Sequence, residues 1–128
     1  MSTNNNICGY WGLYLWFDEH GVGLIHPEDI EKFRKLVPNG KVFECVDDDG
    51  QYITLKYADM RYRVLRNIFK PVKEPVRKIG EQVKLRESST VATIVDIEWH
   101  FKKNTHIYFI EIEGKRKSKR YWIEDFET

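Results

Sequence analysis

Tyr52-Ile53-Thr54-Leu55-Lys56-Tyr57, a turn, and Arg61-Tyr62-Arg63-Val64-Leu65 running into Asn67-Ile68-Phe69 form the stretch whose reading decides the fold. The same layout returns in Ile107-Tyr108-Phe109-Ile110-Glu111-Ile112, a turn, and Arg120-Tyr121-Trp122-Ile123 running into Glu124-Asp125-Phe126. Each copy reads as a β-hairpin whose second strand enters a short polar turn closed by a Phe, because β-branched and aromatic residues fill two short runs separated by a turn. The repeat predicts a mainly β (α+β) chain: two small SH3-like barrel modules in tandem, the first with one α-helix packed on its sheet. Small barrels of this kind more often bind than catalyse.

Upstream of the first copy, Val42-Phe43-Glu44-Cys45-Val46 also alternates, and Asp47-Asp48-Asp49-Gly50 joins it to Tyr52 as a hairpin turn. The helix is predicted at about 27–37. Pro27 takes the first helical position, Glu28 and Asp29 lie where the helix dipole favours carboxylates, and Ile30, Phe33 and Leu36/Val37 form one apolar stripe before Pro38-Asn39-Gly40. Further back, Tyr10-Trp11-Gly12-Leu13-Tyr14-Leu15-Trp16-Phe17 is apolar on both faces and reads as a strand covered on both sides. These elements make an N-terminal module over residues 1–70.

Downstream, residues 71–78 carry Pro71 and Pro75 without periodicity and read as a linker. The C-terminal barrel is predicted over 79–128. Val91, Thr93, Val95, Ile97, Trp99 and Phe101 fall on one face of a long strand, with Asp96, Glu98 and His100 opposite. Gly114 to Ser118 reads as a basic loop.

Composition narrows the function classes. At 41% hydrophobic and 14% aromatic residues, 128 residues can bury a core. The net charge is +1, but residues 1–60 sum to −5 and residues 61–128 to +6, a difference that suits mutual attraction of the halves or one basic face. Cys8 and Cys45 form no CxxC motif and read as reduced apolar residues. The start of the chain is polar and uncharged, and its first apolar run is eight residues long, so the expectation is a cytoplasmic protein without a signal peptide or membrane span.

Two constellations carry the binding candidates. Trp99, Tyr108, Tyr121 and Trp122 would line adjacent strands of the second module, where alternate members fill the core. Trp122 and Tyr108 are the aromatic candidates, and Trp99 is assigned to the core. Lys115, Arg116, Lys117, Lys119 and Arg120, with Lys102 and Lys103 from the neighbouring loop, would offer a cationic edge, although Glu111, Glu113, Glu124 and Asp125 flank it. His20, His26, His100 and His106 stand at no ligand spacing, the Asp47–Gly50 run lacks the later ligands of a calcium loop, and there is no phosphate loop or nucleophile elbow. No metal, cofactor, small-molecule substrate or enzymatic activity is expected.

Gly12-Leu13-Tyr14-Leu15-Trp16-Phe17, His26-Pro27-Glu28-Asp29-Ile30, Gly40-Lys41-Val42-Phe43-Glu44 and Arg61-Tyr62-Arg63-Val64 resemble stretches of an uncharacterised bacterial family of small cytoplasmic two-module proteins with an SH3-like C-terminal half. Trp99-His100 and Gly114-Lys115-Arg116-Lys117-Ser118-Lys119-Arg120-Tyr121-Trp122 extend the likeness. The resemblance implies no activity and transfers no functional residue. The residues themselves favour a non-catalytic module that binds another protein through sheet edges and exposed aromatics, for which an inhibitor or immunity-type protein is one form. The alternative is nucleic-acid binding by the basic, aromatic second module.

Overall fold

The structure is a computed structural model and describes residues 6–128. The chain divides into two compact units, Met1–Glu74 and Pro75–Thr128. Among the described residues it is mainly β, with two antiparallel sheets and one α-helix.

In the first unit, β1 (Trp11–Tyr14), β2 (Phe43–Asp48), β3 (Ile53–Tyr57), β4 (Met60–Val64) and β5 (Phe69–Val72) form one sheet in the order β4-β3-β2-β1-β5. After β4 the chain makes a 3-10 turn at Arg66–Ile68, and β5 then returns to pair with β1, from Tyr14↔Phe69 to Trp11↔Val72. Gly12, Leu13 and Tyr14 are consecutive and all buried, so β1 is covered on both faces, as its unbroken apolar run predicts. Gly12 is required by space: a Cβ there would lie 2.5 Å from the Lys70 carbonyl oxygen and 2.5 Å from Cζ of Phe69.

The helix, α1 (Ile30–Leu36), begins three residues later than the position of Pro27 predicts. Residues 27–29 form a turn instead, with the Asp29 N–H donating to the His26 carbonyl at 2.8 Å. The Asp29 carboxylate then caps no helix, because Arg63 takes it up: the backbone N–H and Nε of Arg63 both donate to Oδ2, at 2.8 and 2.9 Å, and Nη2 donates to Oδ1 at 3.2 Å. Asp29 is 3% exposed. Burial works to raise its pKa, but the side-chain and backbone hydrogen bonds from Arg63, then the charges of Lys32 and Arg63, outweigh it and hold the carboxyl at about 2.

Phe33 is the hub of the helix. It is fully buried, and its ring meets Tyr62, Tyr14, Trp16 and Phe43 at centroid distances of 5.2 to 5.9 Å. Val37, expected on the same stripe, is instead 64% exposed and ends the helix in the left-handed region at φ 54. At the β2–β3 turn, Asp48 Oδ1 accepts from the Gly50 N–H and Asp49 Oδ1 from the N–H groups of Gln51 and Tyr52. Those carboxylates build the turn.

In the second unit, β6 (Gln82–Lys84), β7 (Val91–His100), β8 (Thr105–Ile112) and β9 (Lys115–Arg116) pair in that order. The C-terminal segment adds single bridges at both sides of this sheet, Tyr121↔Tyr108 and Phe126↔Leu85, with a 3-10 turn at Ile123–Asp125 between them. The second copy of the repeat is therefore looser than the first, with a bridge at Tyr121 where β4 has a full ladder.

Three expectations need correction here. The residues turned inward on the first half of β7 are Ala92 and Ile94, whereas Val91 is exposed and Thr93 and Val95 are half-buried. A β-bulge between Ile94 and Asp96 then shifts the register: Ile97, opposite the buried Tyr108, takes the core face, and Asp96, opposite Phe109, is buried on the other. Trp99 is accordingly half-buried, and Phe101 is 52% exposed. The basic stretch at Gly114–Ser118 is not all loop: Glu113 (φ 52) and Gly114 (φ 79) form a two-residue hairpin turn with both residues left-handed, which starts β9 at Lys115. The 71–78 stretch holds the boundary between the two units, after Glu74, but its two ends belong to the units themselves. Pro71 and Val72 belong to β5, Pro75 is buried, and Arg77 and Lys78 both engage the Glu81 carboxylate at 2.8 Å.

Candidate binding surface

The hairpin β7–β8 and the strand-like segment 119–122 build the site. At the hairpin tip, residues 101–104 turn with Asn104 in the left-handed region (φ 49), and the Lys103 N–H donates to Nδ1 of His100 at 3.1 Å. On the other side, the Trp122 N–H donates to the Asp125 carboxylate at 2.8 Å, which fixes the indole at the start of its 3-10 turn. The half-buried indole thus receives three neighbours: Lys103 Nζ 5.0 Å from the ring centroid, the Arg120 guanidinium at 5.8 Å and the His100 ring at 5.4 Å.

The nine sequence-predicted residues part company at this point. Trp122, Lys103 and Arg120 come together. Lys119 alternates with Arg120 and lies over Tyr121 instead, at 5.1 Å, where it lines a depression of about 200 Å³ with Leu85, Arg86, Glu87, Glu124 and Asp125. Arg116 pairs with Asp96 and lies 5.1 Å from the Phe109 centroid. Lys102 and Lys115 are exposed and Lys117 half-buried on neighbouring turns. Tyr108 is a correction: it is 1% exposed and packs edge-on against Phe126 at 5.6 Å, so it belongs to the core and offers no platform. Its place on β8 opposite Ile97, the β7 residue that takes the core face past the bulge, turns it inward.

His100 was missed as a neighbour of this cluster. The signal lay in its position, three residues before Lys103 at a strand end, where a side-chain acceptor can cap a turn.

Sheet edges offer less. Along β4, the His26 N–H donates to the Arg63 carbonyl and the Leu65 N–H just beyond the strand donates to the Leu24 carbonyl. The Lys84 carbonyl of β6 accepts from the Glu127 N–H, and Pro71 leaves β5 short of a donor. Burial pushes the Cys45 thiol up to about 11, which leaves it inert as a nucleophile at neutral pH. Among the described residues no three His, Cys, Asp or Glu side chains gather as a metal site requires, and no helix is long and apolar enough to cross a membrane.

Fold and surface together define a two-unit, mainly β protein with a cationic, aromatic face on its second unit. The chain belongs to a family of unknown function (DUF6960), whose match spans residues 5–127. No curated protein and no solved structure matches it.

Proposed function

We propose that the protein is a non-catalytic interaction module that holds another protein through the Trp122 face of its second unit. The observation that carries this is the convergence of Lys103, Arg120 and His100 on one half-buried indole, within 5.0 to 5.8 Å of its centroid. An aromatic anchor ringed by cations is the composition that concentrates binding energy at protein interfaces. The partly covered edges of β4 and β6 turn this reading away from strand addition and toward side-chain contact.

Both units are SH3-like in this account. The order β4-β3-β2-β1-β5, in which a strand following a 3-10 turn returns to the first, supports that form for the first unit. The bridges of Tyr121 to Tyr108 and Phe126 to Leu85 support it for the second. Two free thiols suit a reducing, cytoplasmic setting, and an inhibitor or immunity-type role fits a module that works by shape and charge alone.

The test is capture from a lysate with the wild-type chain beside Trp122→Ala and the charge reversal Lys103→Glu. A partner held by the wild type and lost with both variants supports the reading. Capture that persists in both variants contradicts it.

A further inference from the structure

Resting on the interaction-module reading, we infer that the segment recognised at Trp122 is an extended acidic peptide, with carboxylates at alternate positions meeting Lys103 and Arg120.

Three features of the face argue for carboxylates over a nucleic-acid strand. Both cations already lie over the indole, at 5.0 and 5.8 Å from its centroid, so a nucleobase could stack there only by displacing them. A carboxylate reaches the same two groups from the rim and leaves the cation–π contacts in place. The second feature is the acidic neighbour. Asp125 sits 2.8 Å from the Trp122 N–H, and Glu124 is exposed beside it, so a continuous phosphodiester would run against fixed negative charge. A peptide needs to place charge only where the cations stand. Third, residues 75–128 carry eleven Lys and Arg against nine Asp and Glu, which gives local complementarity but no basic track along the unit.

Geometry bounds the spacing. Because both cations stand within 6 Å of one centroid, their charged groups lie no more than about 11 Å apart. Alternate side chains of an extended strand recur about every 7 Å on one side. Acidic residues at i and i+2 fall inside that bound, with the residue between them turned away.

Fluorescence anisotropy at low salt tests the assignment, using a labelled peptide of Glu-Ser repeats, a Gln-Ser repeat of equal length and a labelled oligothymidylate. The expected result is that the Glu-Ser peptide binds about tenfold or more tighter than either control. Lys103→Gln, Arg120→Gln and Trp122→Ala should each weaken it by about threefold to tenfold, with Lys115→Gln/Lys117→Gln within about twofold of wild type. The two glutamine variants keep the indole, and thermal unfolding checks that all variants are folded. Absence of Glu-Ser binding, tighter binding of the oligothymidylate, or equal losses from the Lys115/Lys117 pair would each overturn the inference. Such a result alongside Trp122-dependent capture of a protein from lysate removes the acidic peptide alone, whereas Trp122-independent capture removes the module reading itself.

Discussion

Nη2 of Arg116 lies 3.0 Å from Oδ2 of Asp96, a carboxylate whose side chain is 2% exposed. The basic run between Gly114 and Tyr121 therefore holds a structural residue among its surface ones. Asp96 stands opposite Phe109 just past the β7 bulge, and Arg116, whose guanidinium lies over the Phe109 ring, reaches it from β9 across β8. Replacing Arg116 by Ala removes this partner from a buried charge and should cost about 1–3 kcal/mol. Lys115→Ala and Lys117→Ala should stay within about 0.5 kcal/mol of wild type. Urea unfolding of the three variants checks this order.

Asp29 sets an acid limit on stability. Its folded pKa of about 2 lies below the ordinary 3.8, so its contribution is present above that ordinary value and fades as the pH falls toward 2. The difference corresponds to about 2 kcal/mol. Asp29→Asn should lower the unfolding free energy at pH 7 and flatten its dependence between about pH 4 and 2. Equilibrium unfolding over that range reads both effects.

Gly12 tests the packing of β1. A methyl group there meets the Lys70 carbonyl oxygen and the Phe69 ring, each at 2.5 Å. Because one obstacle is backbone, β1 and β5 must separate. Gly12→Ala should destabilise the protein by about 1–3 kcal/mol, measured by denaturant midpoint.

Val37 makes the opposite case. It is a β-branched residue at φ 54 with its side chain 64% exposed, so it carries backbone strain and buries little. Val37→Gly should raise stability by up to about 1 kcal/mol, visible as a higher melting temperature.

The period-two pattern made the first hairpin legible, because alternation survives in β3 and β4, whereas β8 was legible from its run of strand-forming residues Ile107 to Ile110. The helix was legible from Phe33, which four aromatic neighbours bury, but its start was hidden: Pro27 marks an allowed first position, and the competition of Arg63 for Asp29 is a long-range event. The inward face of β7 was misread for a related reason. A bulge adds one residue to one strand, and nothing in Ile94-Val95-Asp96 announces it. At the surface, sequence supplied Trp122, Lys103 and Arg120 but could not separate them from Arg116, Lys119 or Tyr108. That separation depends on which way alternate residues of 119–122 point and on which carboxylate happens to be buried beneath β9.

The most direct test of the Trp122 face follows the four tryptophan indole N–H resonances by NMR as the Glu-Ser peptide is added. The account predicts that the Trp122 indole and the His100 and Lys103 amides shift, while those of Trp11, Trp16 and Trp99 stay within about the line width. Shifts centred on Trp11 or Trp16, with Trp122 unmoved at saturating peptide, would contradict it.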